Sequence, residues 1–333
     1  MAWSGKPWIQ YARAFIDEGH GMPLYLAKCG RAMATYGTSI ADSLVRIGDV
    51  GVFDDDGGFD VFLNSLPPGE HADHVPNVTI QEVDPRLLKE YTVRKHDIEA
   101  SITLHGRVES KVLDIASYKI IDHIQNHFDE WHEIINNRYG MDKEVCFVYG
   151  TTTASSASLS VVHRSVGNSD SKYGFPFTQE AQPATPFIRV YMVSKTEDKN
   201  PDHPLHSFIA DAFKFEYDPI QRSWNPVEDL IAYIQWRRDK ERRDSLAIAS
   251  YQDIMCIFEH GVPSNVSLTL WREDRDIYVN EHGVATIRLD QLTSPRSQSH
   301  MATFLGICIR KSLLAQTLRE RRVPDASKRG WRK

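Results

Sequence analysis

Residues 46–64 read RIGDVGVFDDDGGFDVFLN, and this stretch decides how the N-terminal part of the chain folds. Apolar residues alternate with polar residues or glycine on both sides of three aspartates and two glycines. Such alternation is typical of half-buried strands, and Asp and Gly tolerate the left-handed backbone of tight turns. The stretch therefore predicts a β-hairpin with a structural turn at Asp54–Gly58.

Ligand-binding interpretations of this stretch fail on spacing. A dinucleotide fingerprint needs GxGxxG at the start of a helix, whereas Gly48 and Gly51 supply only GxxG before β-prone residues. A calcium loop with its glycine at Gly57 would place Val52 and Leu63 at the first and twelfth ligand positions, which need oxygen ligands. The hairpin therefore predicts neither a nucleotide site nor a calcium site.

Composition is that of a globular protein with a core of ordinary size. The chain has 333 residues, of which 41% are hydrophobic and 25% are charged, so one large domain or two modest ones would fit. It shows no secretory signal, and no run of about 18 apolar residues occurs in it. The four cysteines form no CxxC pair, and we expect reduced thiols and no cofactor. The sequence predicts a soluble cytoplasmic protein.

Strand and helix patterns interleave without a fixed repeat. This favours an α+β fold with a mixed, mostly antiparallel sheet and several packed amphipathic helices. The clearest helix carries one apolar stripe at steps of three and four residues, formed by Ile121, Ile124, Phe128, Trp131 and Ile135. Asn225 before Pro226 predicts the start of another helix, because asparagine is a good N-cap and proline suits the first helical position.

Shorter patterns predict the remaining elements. Helices are expected at 8–16 and 299–322, and irregular structure at 67–95. Strand pairs are expected within 97–115, and between 144–150 and 157–165 across a Ser/Thr-rich turn at 150–158. Further strands are expected at 187–195, 245–250, 254–258 and within 267–289.

The same patterns predict two α+β parts. The first covers residues 1–165 with the 46–64 hairpin and the 115–138 helix, and the second covers residues 185–322. Residues 166–184 are predicted to be a flexible insertion, because Gly, Ser, Asn and Pro are frequent there. Residues 323–333 form a basic tail.

Two groups of residues are candidates for chemistry. On the predicted helix, His123, His127 and Glu130 recur at i, i+4 and i+7, but they lie on the polar flank of the apolar stripe, so we expect no metal. In a proline-rich loop, His71, Asp73 and His74 could supply general bases or ligands.

The loop group supports an alternative function. A hydrolase-type enzyme would use these loop residues near Asp49 and Asp60. No GxSxG or HExxH motif supplies a nucleophile or a zinc site, so the chain carries no evident catalytic motif.

Several segments between about residues 20 and 260 resemble a family of uncharacterised intracellular proteins from mushroom-forming fungi. The most specific matching pieces are Pro23-Leu24-Tyr25, the Ile-Gly-Asp-Val-Gly run at 47–51, and Phe59-Asp60-Val61-Phe62-Leu63-Asn64. The helix with Trp131 before the strand at 144–150, and the helix and strand at 225–258, also resemble the family. The chain departs from the family at Thr151-Thr152-Thr153, where the family tends to have Cys-Asp-Lys. The resemblance implies provenance and a fold with several sheet strands, and it implies no catalytic residues.

The sequence thus favours an interaction or regulatory module of the fungal defence or self/non-self repertoire, with a protein partner. Residues 300–333 carry nine lysines and arginines and two acidic residues, a local charge of +7. This charge predicts weak, salt-sensitive contact with polyanions. Sequence-specific nucleic-acid binding is not expected, because no recognition motif is present.

Overall fold

The computed structural model describes residues 7–24, 29–32, 44–53, 57–66, 78–95, 98–113, 118–139, 144–163, 177–181, 183–195, 225–237, 246–258, 261–263, 265–280 and 283–287. These residues form an α+β structure, as predicted. The α-helices are α1 (Pro7–Phe15), α2 (Tyr118–Tyr139), α3 (Pro226–Arg237), α4 (Tyr251–Ile257) and α5 (Val266–Glu273), and 3-10 helices cover Ile16–Glu18 and Pro85–Leu88.

The strands belong to one mixed, mostly antiparallel sheet. They are β1 (Met22–Pro23), β2 (Cys29–Ala32), β3 (Asp49–Phe53), β4 (Phe59–Asn64), β5 (Val78–Gln81), β6 (Tyr91–Lys95), β7 (Ile98–Leu113), β8 (Val145–His163), β9 (Phe177–Ala181), β10 (Ala184–Lys195), β11 (Leu246–Ser250), β12 (Ile277–Val279) and β13 (Val284–Ile287). The main path through the sheet runs β12-β13-β11-β10-β8-β3-β4-β2, and β1, β5, β6, β7 and β9 attach to β10, β7 and β8.

The predicted hairpin is confirmed. Strands β3 and β4 pair antiparallel from Asp49 opposite Asn64 to Phe53 opposite Phe59. Gly57 has a φ of +82°, as the turn prediction requires, although Asp54–Asp56 lie outside the described residues.

The predicted turn at 150–158 is wrong, because these residues lie inside the single 19-residue strand β8. Its neighbours explain the difference: β7 pairs with residues 150–163 on one edge, and β10 and β9 pair with the other. The hydroxyls also find partners across the sheet, since Thr152 donates to Ser110 at 3.2 Å and Ser160 lies 2.8 Å from Ser101. Thr and Ser therefore act here as strand residues.

The predicted strand pair within 97–115 is one strand, β7, with a local irregularity between His105 and Val108. Gly106 has a φ of +74° there, and Ser155 Oγ accepts a hydrogen bond from the Arg107 N–H at 2.9 Å. The glycine thus marks a bulge in a continuing strand.

Side chains alternate between the two faces of the sheet along β8. Val145, Phe147 and Tyr149 pack into the core beneath α2, whereas Cys146 and Val148 pack into the core beneath α1, α3, α4 and α5. Successive residues of a strand point to opposite faces, so the central sheet lies between two helical layers. The buried residues of α2 are Ile120, Ile124, Phe128, Trp131 and Ile135, close to the predicted stripe.

Two predicted strands in the C-terminal part are helices. Residues 251–257 form α4, whose start is a capping box in which Ser250 Oγ accepts from the Asp253 N–H and Asp253 accepts from the Ser250 N–H. Residues 266–273 form α5, with Asn265 as N-cap. The predicted helix after Asn225 is confirmed, and Asn225 Oδ1 accepts from the Val227 N–H at 3.0 Å.

The sheet contains strands from both predicted parts of the chain. Within the predicted insertion, residues 177–181 form β9 on the edge of β8, and residues 164–176 lie outside the described residues. Within the segment predicted to be irregular, residues 78–81 and 91–95 are strands paired with β7. The predicted C-terminal helix and basic tail lie beyond the described residues.

Of the helices that the structure describes, none has the length and apolar character needed to cross a membrane.

Gly57 should be sensitive to substitution, because a Cβ there would overlap the ring of Trp8. Gly57→Ala is expected to lower the free energy of unfolding by about 2 kcal/mol or more, from backbone strain and displacement of Trp8. Gly19→Ala is the matched control, since Gly19 has a φ of +80° but nothing near its Cβ position, and it should cost about 1 kcal/mol. Urea unfolding would measure both, and equal losses would contradict the Trp8 contact.

Candidate functional sites

The helix histidines lie together on α2 but do not form a metal centre with Glu130. The rings of His123 and His127 are 4.6 Å apart between centroids, and His127 Nδ1 is 3.9 Å from Glu130 Oε2. Burial lowers the pKa of His123, and the neighbouring His127 adds to this effect. Within the described ranges, no three His, Cys, Asp or Glu side chains come together as a metal site would need.

His123 also contacts a serine, and the pair does not resemble an activated nucleophile. His123 Nε2 is 3.3 Å from Ser65 Oγ, and that hydroxyl donates to the Gly48 carbonyl at 3.2 Å. A serine hydroxyl has a single proton, and Ser65 already donates its proton to the Gly48 carbonyl. Ser65 can therefore only accept a hydrogen bond from His123. A nucleophile needs the opposite arrangement, in which the imidazole accepts the serine proton. The contact joins α2 to the end of β4.

Asp49 is a buried carboxylate with a structural role in the hairpin. Its oxygens accept from the Arg46 N–H at 2.7 Å and from Asn64 Nδ2 at 2.9 Å. Burial raises its pKa to about 6, against the opposing effect of these hydrogen bonds. Both oxygens are therefore engaged in holding the base of β3 and β4 together.

The hydrolase alternative stays a prediction, because His71, Asp73 and His74 lie outside the described residues. Asp60 lies opposite Val52 and Asp49 lies opposite Asn64, so the two aspartates are three residues apart on β3 and four on β4, about 10–13 Å at strand spacing. A site that used these aspartates would therefore be built around one of them.

One polar cluster was not found by sequence reasoning. It consists of Arg189 on β10, its hydrogen-bond partner Gln81, and three side chains whose pKa its charge influences, and we call it the Arg189 cluster: His20, Gln81, Tyr149, Arg189 and Tyr251. Arg189 Nη1 donates to Gln81 Oε1 at 2.8 Å, and Nη2 lies 3.4 Å from the Gly19 carbonyl oxygen. Both acceptors are neutral, and among the described residues the guanidinium forms no ion pair within 4.0 Å.

His20 lies between aromatic rings beside Arg189. Its ring centroid is 5.4 Å from that of Phe187 and 6.1 Å from that of Tyr91. Burial lowers its pKa, and this effect prevails over nearby Asp84 and Glu18, which favour the charged form. Nε2 is buried and has no hydrogen-bond partner among the described residues.

The tyrosines occupy the other side of the cluster. Tyr149 packs against Tyr191 at 4.7 Å between centroids, and its hydroxyl lies near Ser250 and the Gln252 backbone. Tyr251 donates to the Ile16 carbonyl at 2.5 Å and so holds the segment before His20. Burial raises the pKa of both Tyr149 and Tyr251.

No sequence signal could have shown this cluster. Its residues come from five separate segments around positions 20, 81, 149, 189 and 251, and only the sheet brings them together. In the fold, Gly21 and Gly150 leave room for Arg189, because a Cβ at either position would meet its side chain.

A second feature is an exposed apolar residue on an edge strand. Ile80 on β5 is 70% exposed, and Leu88 in the following 3-10 helix is 47% exposed. Strand β5 pairs with β7 along one side, and its other side pairs with no strand in the part of the chain that the structure describes. Isolated apolar residues are common on surfaces, but an apolar side chain on an edge strand indicates a docking surface more strongly.

Comparison with known proteins finds no match among protein-family models, curated proteins or solved structures.

The raised pKa of Asp49 gives a pH-dependent prediction. Because the folded protein binds this proton more tightly than the unfolded chain, the stabilisation is complete below about pH 4 and is lost as the pH rises through about 6. Wild type should lose this stabilisation as the pH rises, whereas Asp49→Asn has no proton to lose at this position. The free energy of unfolding of Asp49→Asn minus that of wild type should therefore increase by up to about 3 kcal/mol from pH 4 to pH 7.

Urea unfolding at several pH values would measure this difference. Asp129→Asn is the control for loss of a surface charge, since Asp129 is exposed on α2. A difference between Asp49→Asn and wild type that stays constant with pH would contradict the assignment.

Proposed function

We propose that this chain is a protein-interaction module that binds an extended segment of a partner protein along β5. The observation that carries the proposal is the exposure of Ile80 on this edge strand. A partner strand would pair with the outer backbone groups of β5, and an apolar side chain of the partner would cover Ile80. Strand addition of this kind obtains affinity from main-chain hydrogen bonds and specificity from alternate side chains.

The surroundings of β5 favour a specific protein partner. Gln81 holds one end of the strand through Arg189, and four residues of β5 pair in register with β7, so the edge is held in place before binding. A rigid edge has little conformational entropy to lose on binding. On the adjacent strand, Lys111 pairs with Glu109 at 2.7 Å and supplies a polar rim beside Ile80.

The proposed setting follows from the sequence. The chain would act as a soluble module in the cytoplasm, in a regulatory or defence role of the kind that the resemblance to the fungal family suggests. The absence of an evident catalytic motif in the sequence favours binding over catalysis.

Replacing Ile80 with lysine should abolish partner binding, because a charge on an edge strand opposes strand addition. The immobilised wild type should capture one or more proteins from native extract. Quantitative mass spectrometry should find the amount of these proteins at least about tenfold lower in the capture by Ile80→Lys. In the complex of wild type with the recovered protein, the amide protons of β5 should exchange more slowly.

Ile134→Lys is the matched control, because Ile134 is 38% exposed on α2, away from β5. It should retain the same proteins. Equal recovery by Ile80→Lys and wild type, or unchanged exchange of β5 in the complex, would refute the proposed interface.

We also propose that the basic tail makes weak polyanion contacts. Deleting Val323–Lys333 should leave the melting temperature unchanged and abolish low-salt retention of the protein on a heparin column, because four of the basic residues, Lys328, Arg329, Arg332 and Lys333, are removed. Retention that survives high salt, or unfolding of the truncated chain, would contradict this assignment.

A further inference from the structure

Strand β5 is held by its backbone pairing with β7 and by the hydrogen bond from Arg189 to Gln81. Thr79 and Ile80 point to opposite faces of the strand, and both side chains are exposed. Burial of these two side chains therefore contributes little to holding the strand in the sheet. Strands with few buried contacts open through local fluctuations, so a binding edge in this place depends on a further support.

Arg189 reaches β5 from a strand on the far side of β8 and β7. The pairing registers place Arg189 on β10 opposite Gly150 on β8, and Gly150 opposite Val112 on β7. Val112 in turn lies opposite Thr79 on β5. Residues directly opposite each other share a face of the sheet, and so do residues two apart on a strand, so Arg189 and Gln81 lie on the same face. Strands β10 and β5 are three strand spacings apart, about 14 Å.

Gly150 provides the gap through which the arginine crosses β8. A Cβ at Gly150 would lie 3.2 Å from Cβ and Cδ of Arg189 and 3.2 Å from Cγ2 of Val112. The side chain of Arg189 therefore passes over the backbone of Gly150 towards β7. Beside this point the pairing shifts, since Val190 lies opposite Val148, and such a bulge re-aims neighbouring side chains.

The near side of the guanidinium is anchored to the segment after α1. Arg189 Nη2 donates to the Gly19 carbonyl at 3.4 Å, and the Gly19 N–H donates to the Tyr251 hydroxyl at 3.2 Å. That hydroxyl donates to the Ile16 carbonyl at 2.5 Å, and Tyr251 is the first residue of α4. The hydrogen bonds thus connect a buried helix end through Arg189 to Gln81 on the edge strand.

From this geometry we propose that Arg189 is the positioning residue of the β5 edge. Its side chain crosses Gly150 and fixes Gln81, and through Gln81 it fixes the backbone that a partner strand would meet. The inference rests on the proposed function, because the surface that Arg189 positions is the β5 interface. An edge that is already ordered loses less conformational entropy on binding, so Arg189 raises the affinity for the partner from three strands away.

Amide hydrogen exchange of the isolated protein tests the hold on β5 without a partner. Arg189→Met keeps an unbranched side chain over Gly150 and removes every donor. The amides of β5 that bond to β7 should then exchange at least about fivefold faster, because a hydrogen bond from a charged donor is lost. The amides of β6, which pairs with the other half of β7, should exchange at the wild-type rate.

Two further variants separate the hydrogen bond from packing. Arg189→Lys has a similar stem and one donor group that can reach Gln81, so it should recover part of the protection that Arg189→Met loses. Arg94→Met is the matched control, because Arg94 on β6 is 67% exposed and pairs with Glu99, and it should leave the exchange of β5 unchanged. The proposal is overturned if β5 exchanges at the wild-type rate in Arg189→Met, or as fast in Arg189→Lys as in Arg189→Met.

Gln81→Ala keeps the claim testable if Arg189→Met does not fold. The variant removes the acceptor on the edge strand and should speed the exchange of β5 as Arg189→Met does. Thr79→Ala is its control, because Thr79 lies on the same face of the same strand and is exposed. Equal exchange of β5 in Gln81→Ala and Thr79→Ala would overturn the proposal.

The binding role is tested with the protein that wild type captures and Ile80→Lys does not. Titrated against the purified variants, this protein should bind Arg189→Met at least about threefold more weakly than wild type, and Arg94→Met as tightly as wild type. Equal affinity of Arg189→Met and wild type would overturn the positioning role alone. Capture that Ile80→Lys does not reduce would instead overturn the β5 interface, and with it the binding role of Arg189.

Discussion

The backbone hydrogen bonds along both edges of β8 are the constraint on which the rest of the structure depends. The strand pairs with β3 and β7 on one edge and with β10 and β9 on the other. Because its side chains alternate between the faces, the same strand supplies both the core beneath α2 and the core beneath the other helices. A break in β8 would therefore separate the hairpin β3–β4 from the C-terminal strands and would disrupt both cores.

The same strand connects the fold to the proposed edge-strand interface. Gly150 lies where β8 passes under Arg189. Arg189 in turn bonds Gln81 at the end of β5, and the residue before Gln81, Ile80, is the exposed apolar side chain. The support of the edge strand therefore depends on β8.

The sequence predicted the elements whose signals are local. The hairpin at 46–64, helix α2 and the start of α3 at Asn225 were all confirmed, because alternation, a helical stripe and an N-cap are read within a few residues.

Predictions failed where distant partners decide the structure. The hydroxyl-rich run at 150–158 has turn composition but lies between paired strands, and residues 254–258 are β-prone but follow the Ser250 capping box. The Arg189 cluster could not be predicted, since its residues meet only after the sheet forms.

Amide hydrogen exchange of residues 150–158, resolved residue by residue by NMR, tests the continuity of β8 most directly. Amides bonded within a central strand open only with large-scale unfolding, whereas amides of a surface turn exchange through local fluctuations. We predict that those amides of this run that bond to neighbouring strands exchange as slowly as those at Cys146–Val148. Fast exchange throughout 150–158, beside slow exchange at Cys146–Val148, would contradict a continuous β8 and the placement of Gly150 beneath Arg189.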